Sequence, residues 1–471
     1  MQASDVWRAD IATLGQMLSE KKITPTEIVE LYLDRCDRLE PILNAFVVLD
    51  RQGAQRAATE ATARQRAGRR LGPLDGIPAA IKDNLFVRGM PASWGSLLYQ
   101  EHVPENDDIC VERLRAAGAI IIGKTTTPEF ALMGRTQSRL KGVTRNPWDV
   151  SLTPGGSSGG SVAAVAAAMV PISVGTDAGG SIRMPASYTG LVGMRPSNGR
   201  VPRRYGFPPM ALDFQAIGVL GRTMGDLELL LRIVSGADRR DPTSINLPPL
   251  ASGDRALRIG WFTHIGDETV DAAVEDAHRQ AREILAGLGH AVEECEPPFD
   301  IVELRAIWDA LTPVGAARAA QPHPRWQTDA TDQIAALGRQ GLKMAAADYV
   351  RMIDRLQAFR ARTSEQWGNF DALLTPTAAA PAWQADLEAP PTIGGKPGSG
   401  ATQGMFCGWV NAMGFAGLNI PGLPHPDGRP IGLQIVAPFG NDGIALHIGR
   451  QLETKMPWRD RWPGTAENLP A

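Results

Sequence analysis

Two glycine- and serine-rich segments hold the residue types best suited to chemistry. The first is Pro154-Gly155-Gly156-Ser157-Ser158-Gly159-Gly160-Ser161. The second is Gly175-Thr176-Asp177-Ala178-Gly179-Gly180-Ser181-Ile182-Arg183. A serine hydroxyl becomes a useful nucleophile when a base takes its proton. Adjacent glycines let a ligand come close to the backbone. Successive N–H groups around Gly179-Gly180-Ser181 can form an anion-binding nest. The helix and strand between the segments are too short to form a separate unit, so the two loops are expected to face each other at one end of a sheet. A flexible linker is the plain alternative, but linkers do not sit between an Ala-rich helix and an apolar strand.

Two familiar patterns also occur, and the physics argues against both. Gly118-Ala119-Ile120-Ile121-Ile122-Gly123-Lys124-Thr125 satisfies G-x-x-x-x-G-K-[ST]. A phosphate loop needs flexible positions whose amides wrap the anion. Here those positions are Ala-Ile-Ile-Ile, which read as a buried strand. Gly156-Ser157-Ser158-Gly159-Gly160 satisfies G-x-S-x-G, a motif that needs a preceding strand and a His partner. Leu152-Thr153-Pro154-Gly155 reads as a loop, and none of the seven His lies in a motif beside an Asp or Ser partner.

The surrounding elements alternate. Thr24-Pro25-Thr26-Glu27 opens a helix with a capping box and Pro at its first position. Residues 51–70 form another helix. Ile77–Lys82 and Ala119–Ile122 read as strands, with a helix between them opened by Asp107 and Asp108. Val162–Met169 reads as an Ala-rich helix and Val170–Val174 as a strand. Leu257–Phe262, His290–Val292 and Ile431–Val436 are further strands, and Val274 to Leu288 line one face of a helix. The alternation predicts an α/β fold with a sheet covered by helices. Residues 379–404, rich in Pro, Gly and Ala, read as a long irregular loop of the kind that is often functional.

Composition narrows the function. The chain has 471 residues, with 48 Lys+Arg against 51 Asp+Glu, a net charge of −3. A dedicated nucleic-acid binder would show a basic excess. The four cysteines, Cys36, Cys110, Cys295 and Cys407, are far apart, so no metal or redox pair is expected. Val162–Val174 is too short to span a bilayer, and Asp5 and Asp10 stand where a secretory signal would be apolar. These features predict a soluble cytoplasmic protein, with no nucleic-acid or membrane partner.

The two segments, taken with Leu74-Asp75-Gly76-Ile77-Pro78-Ala79-Ala80-Ile81-Lys82-Asp83-Asn84 upstream, resemble the amidase signature family. Gly123-Lys124-Thr125 through Glu129-Phe130-Ala131 and Gly428-Arg429-Pro430-Ile431-Gly432-Leu433-Gln434 are similar to further family segments. The likeness covers most of the chain and is strongest from about residue 70 to 235. It implies a single domain over 1–471, built on a large twisted mixed β-sheet covered by helices on both faces. It also implies hydrolysis of a carboxamide C–N bond through a Ser–cis-Ser–Lys triad, with neither cofactor nor metal. Ser181 would be the nucleophile, Ser157 the bridging serine after a cis peptide bond, and Lys82 the base. For that role Lys82 must be neutral, which burial and a nearby positive environment would favour. The amides of Ala178, Gly179, Gly180 and Ser181 would form the oxyanion hole. Asp177 and Arg183 would support the loop, and Ser158 and Ser161 would be structural hydroxyls.

The same family includes the glutamine-hydrolysing A subunit of tRNA-dependent amidotransferases, which works in a complex. In that branch an acidic residue precedes the Phe ahead of the Asn-x-x-Gly segment. Here Gly404 stands at the comparable place, before Met405-Phe406 and Asn411-Ala412-Met413-Gly414. A non-catalytic binding protein on the same fold is a further alternative, which the retention of Lys82, Ser157 and Ser181 together opposes. The substrate is expected to be a small-molecule amide, its acyl pocket shaped by residues of about 295–405. Phe406 and Trp409 are the expected lining residues, and Trp308, Trp326 and Trp383 are lining or core. Glutamine recognition would need charges from elsewhere, such as Arg339 or Arg351. A monomer and a homodimer both fit this reading.

Overall fold

A computed structural model describes residues 2–250, 253 and 255–464. Among them, eleven strands form one mixed sheet. In chain order these are β1 (Phe46–Leu49), β2 (Pro78–Lys82), β3 (Ile120–Thr125), β4 (Ile172–Asp177), β5 (Val192–Arg195) and β6 (Ala216–Gly221). The rest are β7 (Arg258–Trp261), β8 (Ala291–Glu294), β9 (Ala372–Pro376), β10 (Ala416–Pro421) and β11 (Gly432–Ala437). Their order across the sheet is β1-β3-β2-β4-β6-β5-β10-β11-β9-β7-β8. The segment β3-β2-β4 is parallel, the centre from β4 to β9 is antiparallel, and β9-β7-β8 is parallel again.

The central strands are buried along their length because both faces are covered, whereas the edge strand β8, Ala291–Glu294, is largely exposed. Successive side chains point to opposite faces. Ala79, Ile81 and Ile121 join the core on one side, with helix Met224–Val234. Ala80, Ile120 and Ile122 join the other, against helices Pro25–Leu43 and Gly159–Ala166. Lys82, two residues after Ala80, points toward the side on which the first glycine-serine loop runs into helix Gly159–Ala166. The capping box at Thr24 and Glu27 forms as the sequence predicts.

The apparent phosphate loop is strand β3, buried at every position. Its Gly123 is there for close approach: a Cβ would meet the carbonyl oxygen of Val48 in β1 at 2.3 Å. Its Lys124 is wholly buried and paired with Asp83 at 3.4 Å.

Two regions differ from the sequence reading. Residues 301–366 hold four helices, Ile301–Ala320, Trp326–Asp329, Asp332–Gly341 and Ala346–Gln366. The segment 379–404 is mostly irregular, as expected, but contains a small hairpin pairing Thr392–Ile393 with Lys396–Pro397 and a short helix Gly400–Gln403. No helix among the described residues is long and apolar enough to cross a membrane.

Candidate active site

Strand β2 ends at Lys82, whose side chain has no exposure to solvent. Its Nζ lies 2.8 Å from Ser157 Oγ, 3.1 Å from Thr176 Oγ1 and 3.3 Å from the Thr176 carbonyl oxygen. Asn84 Nδ2 donates to the same Thr176 hydroxyl at 2.9 Å. Burial pushes the Lys82 ammonium down to about 7, and the Asp177 carboxylate works against that fall. The cause is thus desolvation, without the positive neighbour the sequence reading invoked.

The two loops do meet. The peptide bond between Gly156 and Ser157 is cis. The amide of Ser158 donates to the Ser181 carbonyl oxygen at 3.1 Å, which ties the first segment to the second. Ser161 Oγ lies 2.6 Å from Thr125 Oγ1 and Ser158 Oγ donates to the Thr176 carbonyl oxygen at 3.3 Å. Both hydroxyls are buried and committed to the scaffold.

The second loop is held from behind by Asp177. Its carboxylate accepts from Arg183 at 2.8 and 3.0 Å, from Asn411 Nδ2 at 2.8 Å and from the amides of Gly180 at 2.8 Å and Ile182 at 3.1 Å. Burial alone would raise the pKa of this acid, but Arg183 and Arg195 hold it well below the usual carboxylate range. Arg183 extends the network to Gln434 in β11 and to the Asn411 side chain.

One expected oxyanion donor is lost to this network. The Gly180 N–H belongs to Asp177, and a φ of +113° at Gly180 turns the backbone there. The amides of Ala178, Gly179 and Ser181 have no acceptor among the described residues, so three of the four donors stay open.

Ser157, Thr176 and the run Ala178–Ser181 border a cavity of about 300 Å³. Trp94, Phe130, Leu132, Met133, Met184, Met210, Leu304, Trp308 and Met405 supply apolar wall, and Gln215, Arg305 and Asp309 supply polar groups. Phe406 and Trp409 are not part of this wall. Both are fully buried in the core, Trp409 stacked on Phe299 and Phe406 tilted against Phe262. Their backbone neighbours Met405 and Gly408 reach the cavity instead, because successive residues around a helix turn face different ways. Trp308 lines it, whereas Trp326 and Trp383 belong to separate clusters. Arg339 and Arg351 are not at the cavity either.

Thr176, Asn84 and Gln215 were not singled out by type or spacing. Thr176 and Asn84 lie inside segments already marked, so the signal available was position alone.

A family model described as Amidase matches residues 27–446. The chain belongs to the amidase signature family. It is an amidohydrolase. This amidase signature protein is 33% identical over 497 residues to the A subunit of the glutamyl-tRNA(Gln) amidotransferase of Acidothermus cellulolyticus, covering 96% of this chain and 95% of that one. It is 31% identical over 469 residues to an acylamidase of Rhodococcus erythropolis, covering 96% of each. Among solved structures, a bacterial aryl acylamidase of the same family superposes with a TM-score of 0.89 at 25% identity, over 98% of this chain and 99% of that one.

Proposed function

We propose that the protein is a free-standing amidase that cleaves the C–N bond of a small carboxamide through an acyl-Ser181 intermediate, with residues 1–471 acting as one domain. The observation that carries this reading is a wholly buried Lys82 Nζ 2.8 Å from Ser157 Oγ, beside a cavity that also presents Ser181.

A neutral lysine has two N–H donors and one lone pair. The two oxygens of Thr176 accept the donors, and the lone pair is left for the Ser157 hydroxyl. Ser157 passes its proton to Lys82 and takes one from Ser181. The Ser181 oxygen then attacks the carbonyl carbon. The amides of Ala178, Gly179 and Ser181 receive the negative charge that grows on the carbonyl oxygen; losing one such donor typically costs roughly 3–4 kcal/mol. The C–N bond breaks as the nitrogen takes the proton back through Ser157 and leaves as ammonia or amine. Water, deprotonated by the same route, releases the acid.

Labelling tests this. A fluorophosphonate should add once, with the adduct on Ser181 by peptide mapping, and Ser181→Ala should abolish labelling and turnover together. An adduct on Ser158 that depends on a histidine would sink the assignment.

A further inference from the structure

The wall of the active-site cavity is mostly apolar, and two donor groups interrupt it. Gln215 accepts, through Oε1, a hydrogen bond from Arg203 Nη1. Arginine can only donate, so this contact fixes which way the amide faces: Oε1 toward Arg203 and Nε2 away from it. Nε2 has no acceptor among the described residues, and Gln215 stands between two cavities, the active-site one and a second that it borders together with Arg203. The pairing of Asp177 with Ala216 places Gln215 beside Ala178, one of the open amides.

The second donor is Arg305 on helix Ile301–Ala320. It lines the same cavity half-buried, and has no hydrogen bond or ion pair among the described residues. The helix that carries Arg305 packs against the segment that leads to Gln215. Trp308, three residues after Arg305, lies edge-on to Phe214 with ring centroids 5.0 Å apart, and Phe214 precedes Gln215. Arg318 of the same helix bonds to the carbonyl of Pro209, in the segment leading to Phe214. Asp309 also borders the cavity, but it is exposed and forms no salt bridge with Arg305.

Two donors without acceptors border the apolar cavity, Gln215 beside Ala178 and Arg305 on the helix wall, and they call for an acceptor-only group on the substrate. We infer that the preferred substrate is an amide carrying a carboxylate, received by Arg305 and Gln215, with the apolar wall holding the methylenes between. A guanidinium matches a carboxylate with two parallel hydrogen bonds. This inference rests on the amidase reading above and names its substrate class.

The test compares kcat/KM of the full chain on three amides of similar length: hexanamide, the monoamide of adipic acid, and 6-aminohexanamide. The monoamide should exceed hexanamide by about tenfold or more, the usual effect of a charged hydrogen bond, and 6-aminohexanamide should fall below it. Arg305→Met should bring the ratio of monoamide to hexanamide close to one. Gln215→Glu keeps an acceptor for Arg203 but opposes a carboxylate, and should lower the same ratio. Equal or poorer use of the monoamide by the wild type would overturn the inference, as would a ratio retained in both variants. Failure of the amidase reading looks different: no turnover of any of the three and no label on Ser181, which removes both.

Discussion

Lys82 Nζ gives up its hydration on folding, and three oxygen atoms on Ser157 and Thr176 replace it. Desolvation disfavours the ammonium more than those neutral oxygens restore it, hence the fall to about 7 despite Asp177. A base must be neutral to act, so kcat/KM should rise as pH passes about 7 and level off above it. The same shift makes the unfolded chain bind more protons than the native one from about 7 up to the ordinary lysine value of 10.5. This group therefore adds stability as pH rises through that window. The Lys82–Thr176 hydrogen bond at 3.1 Å predicts that Thr176 tunes the midpoint. Its hydroxyl oxygen supports the charged form, so Thr176→Val should move the pH–rate midpoint downward. It should also lower kcat by about tenfold through loss of lone-pair orientation, and Thr176→Ser should restore both. An unmoved midpoint in Thr176→Val would show that the Thr176 hydroxyl does not set the Lys82 titration.

At the scale of elements, the loop that carries Ser181 is a strand end held by side chains from two later segments. Asp177 closes β4, Arg183 opens helix Arg183–Thr189, Gln434 comes from β11 and Asn411 from helix Gly408–Met413. Arg183 and Asp177 are both without solvent exposure. Arg183→Met would leave the buried carboxylate with Asn411, the Gly180 and Ile182 amides and the nearby Arg195 but without its paired cation, and breaking such a pair typically costs about 3–5 kcal/mol. Urea unfolding should show a loss of that order, and a loss below about 1 kcal/mol would mean the network does not hold the loop. Six of the eleven strands, β2, β3, β4, β7, β8 and β11, overlap runs that the sequence marks by clustered apolar residues, whereas β1, β5, β6, β9 and β10 are not marked there; Thr24 to Glu27 is a local signal that needs no tertiary context. Helix Ile301–Ala320 was not legible. Its buried residues include Leu304, Ile307, Leu311, Pro313, Gly315, Ala316, Ala317 and Ala319, spread around the axis with a proline inside, so no single apolar stripe marks it. The same limit explains Phe406 and Trp409: aromatic type predicts burial, but not whether the buried face meets core or cavity.

Across the whole molecule, similarity alone does not choose a substrate. The amidotransferase relative at 33% identity and the acylamidase at 31% both align along nearly the full chain. Discrimination must come from the cavity wall, which is assembled from segments far apart in sequence: Trp94, Phe130–Gly134, Met210, helix Ile301–Ala320 and Gly400–Gly408. The Ser and Lys positions were readable because their motifs are short and local, whereas this wall exists only after folding. Glutamine brings an α-ammonium as well as an α-carboxylate. Gly404, at the place where the amidotransferase branch carries an acid, lines the cavity and offers no charge, while Asp309, the one acid bordering it among the described residues, is exposed to solvent. A buried ammonium left without its partner is costly, and a site that cannot pair a polar group rejects it strongly. The buried methylenes of hexanamide gain about 0.8 kcal/mol each on the same wall. The isolated chain should therefore hydrolyse hexanamide with no other protein added, and its kcat/KM on glutamine should be lower by about tenfold or more. A preference for glutamine, or activity that appears only when a partner protein is supplied, would replace the free-standing amidase with one component of a larger assembly.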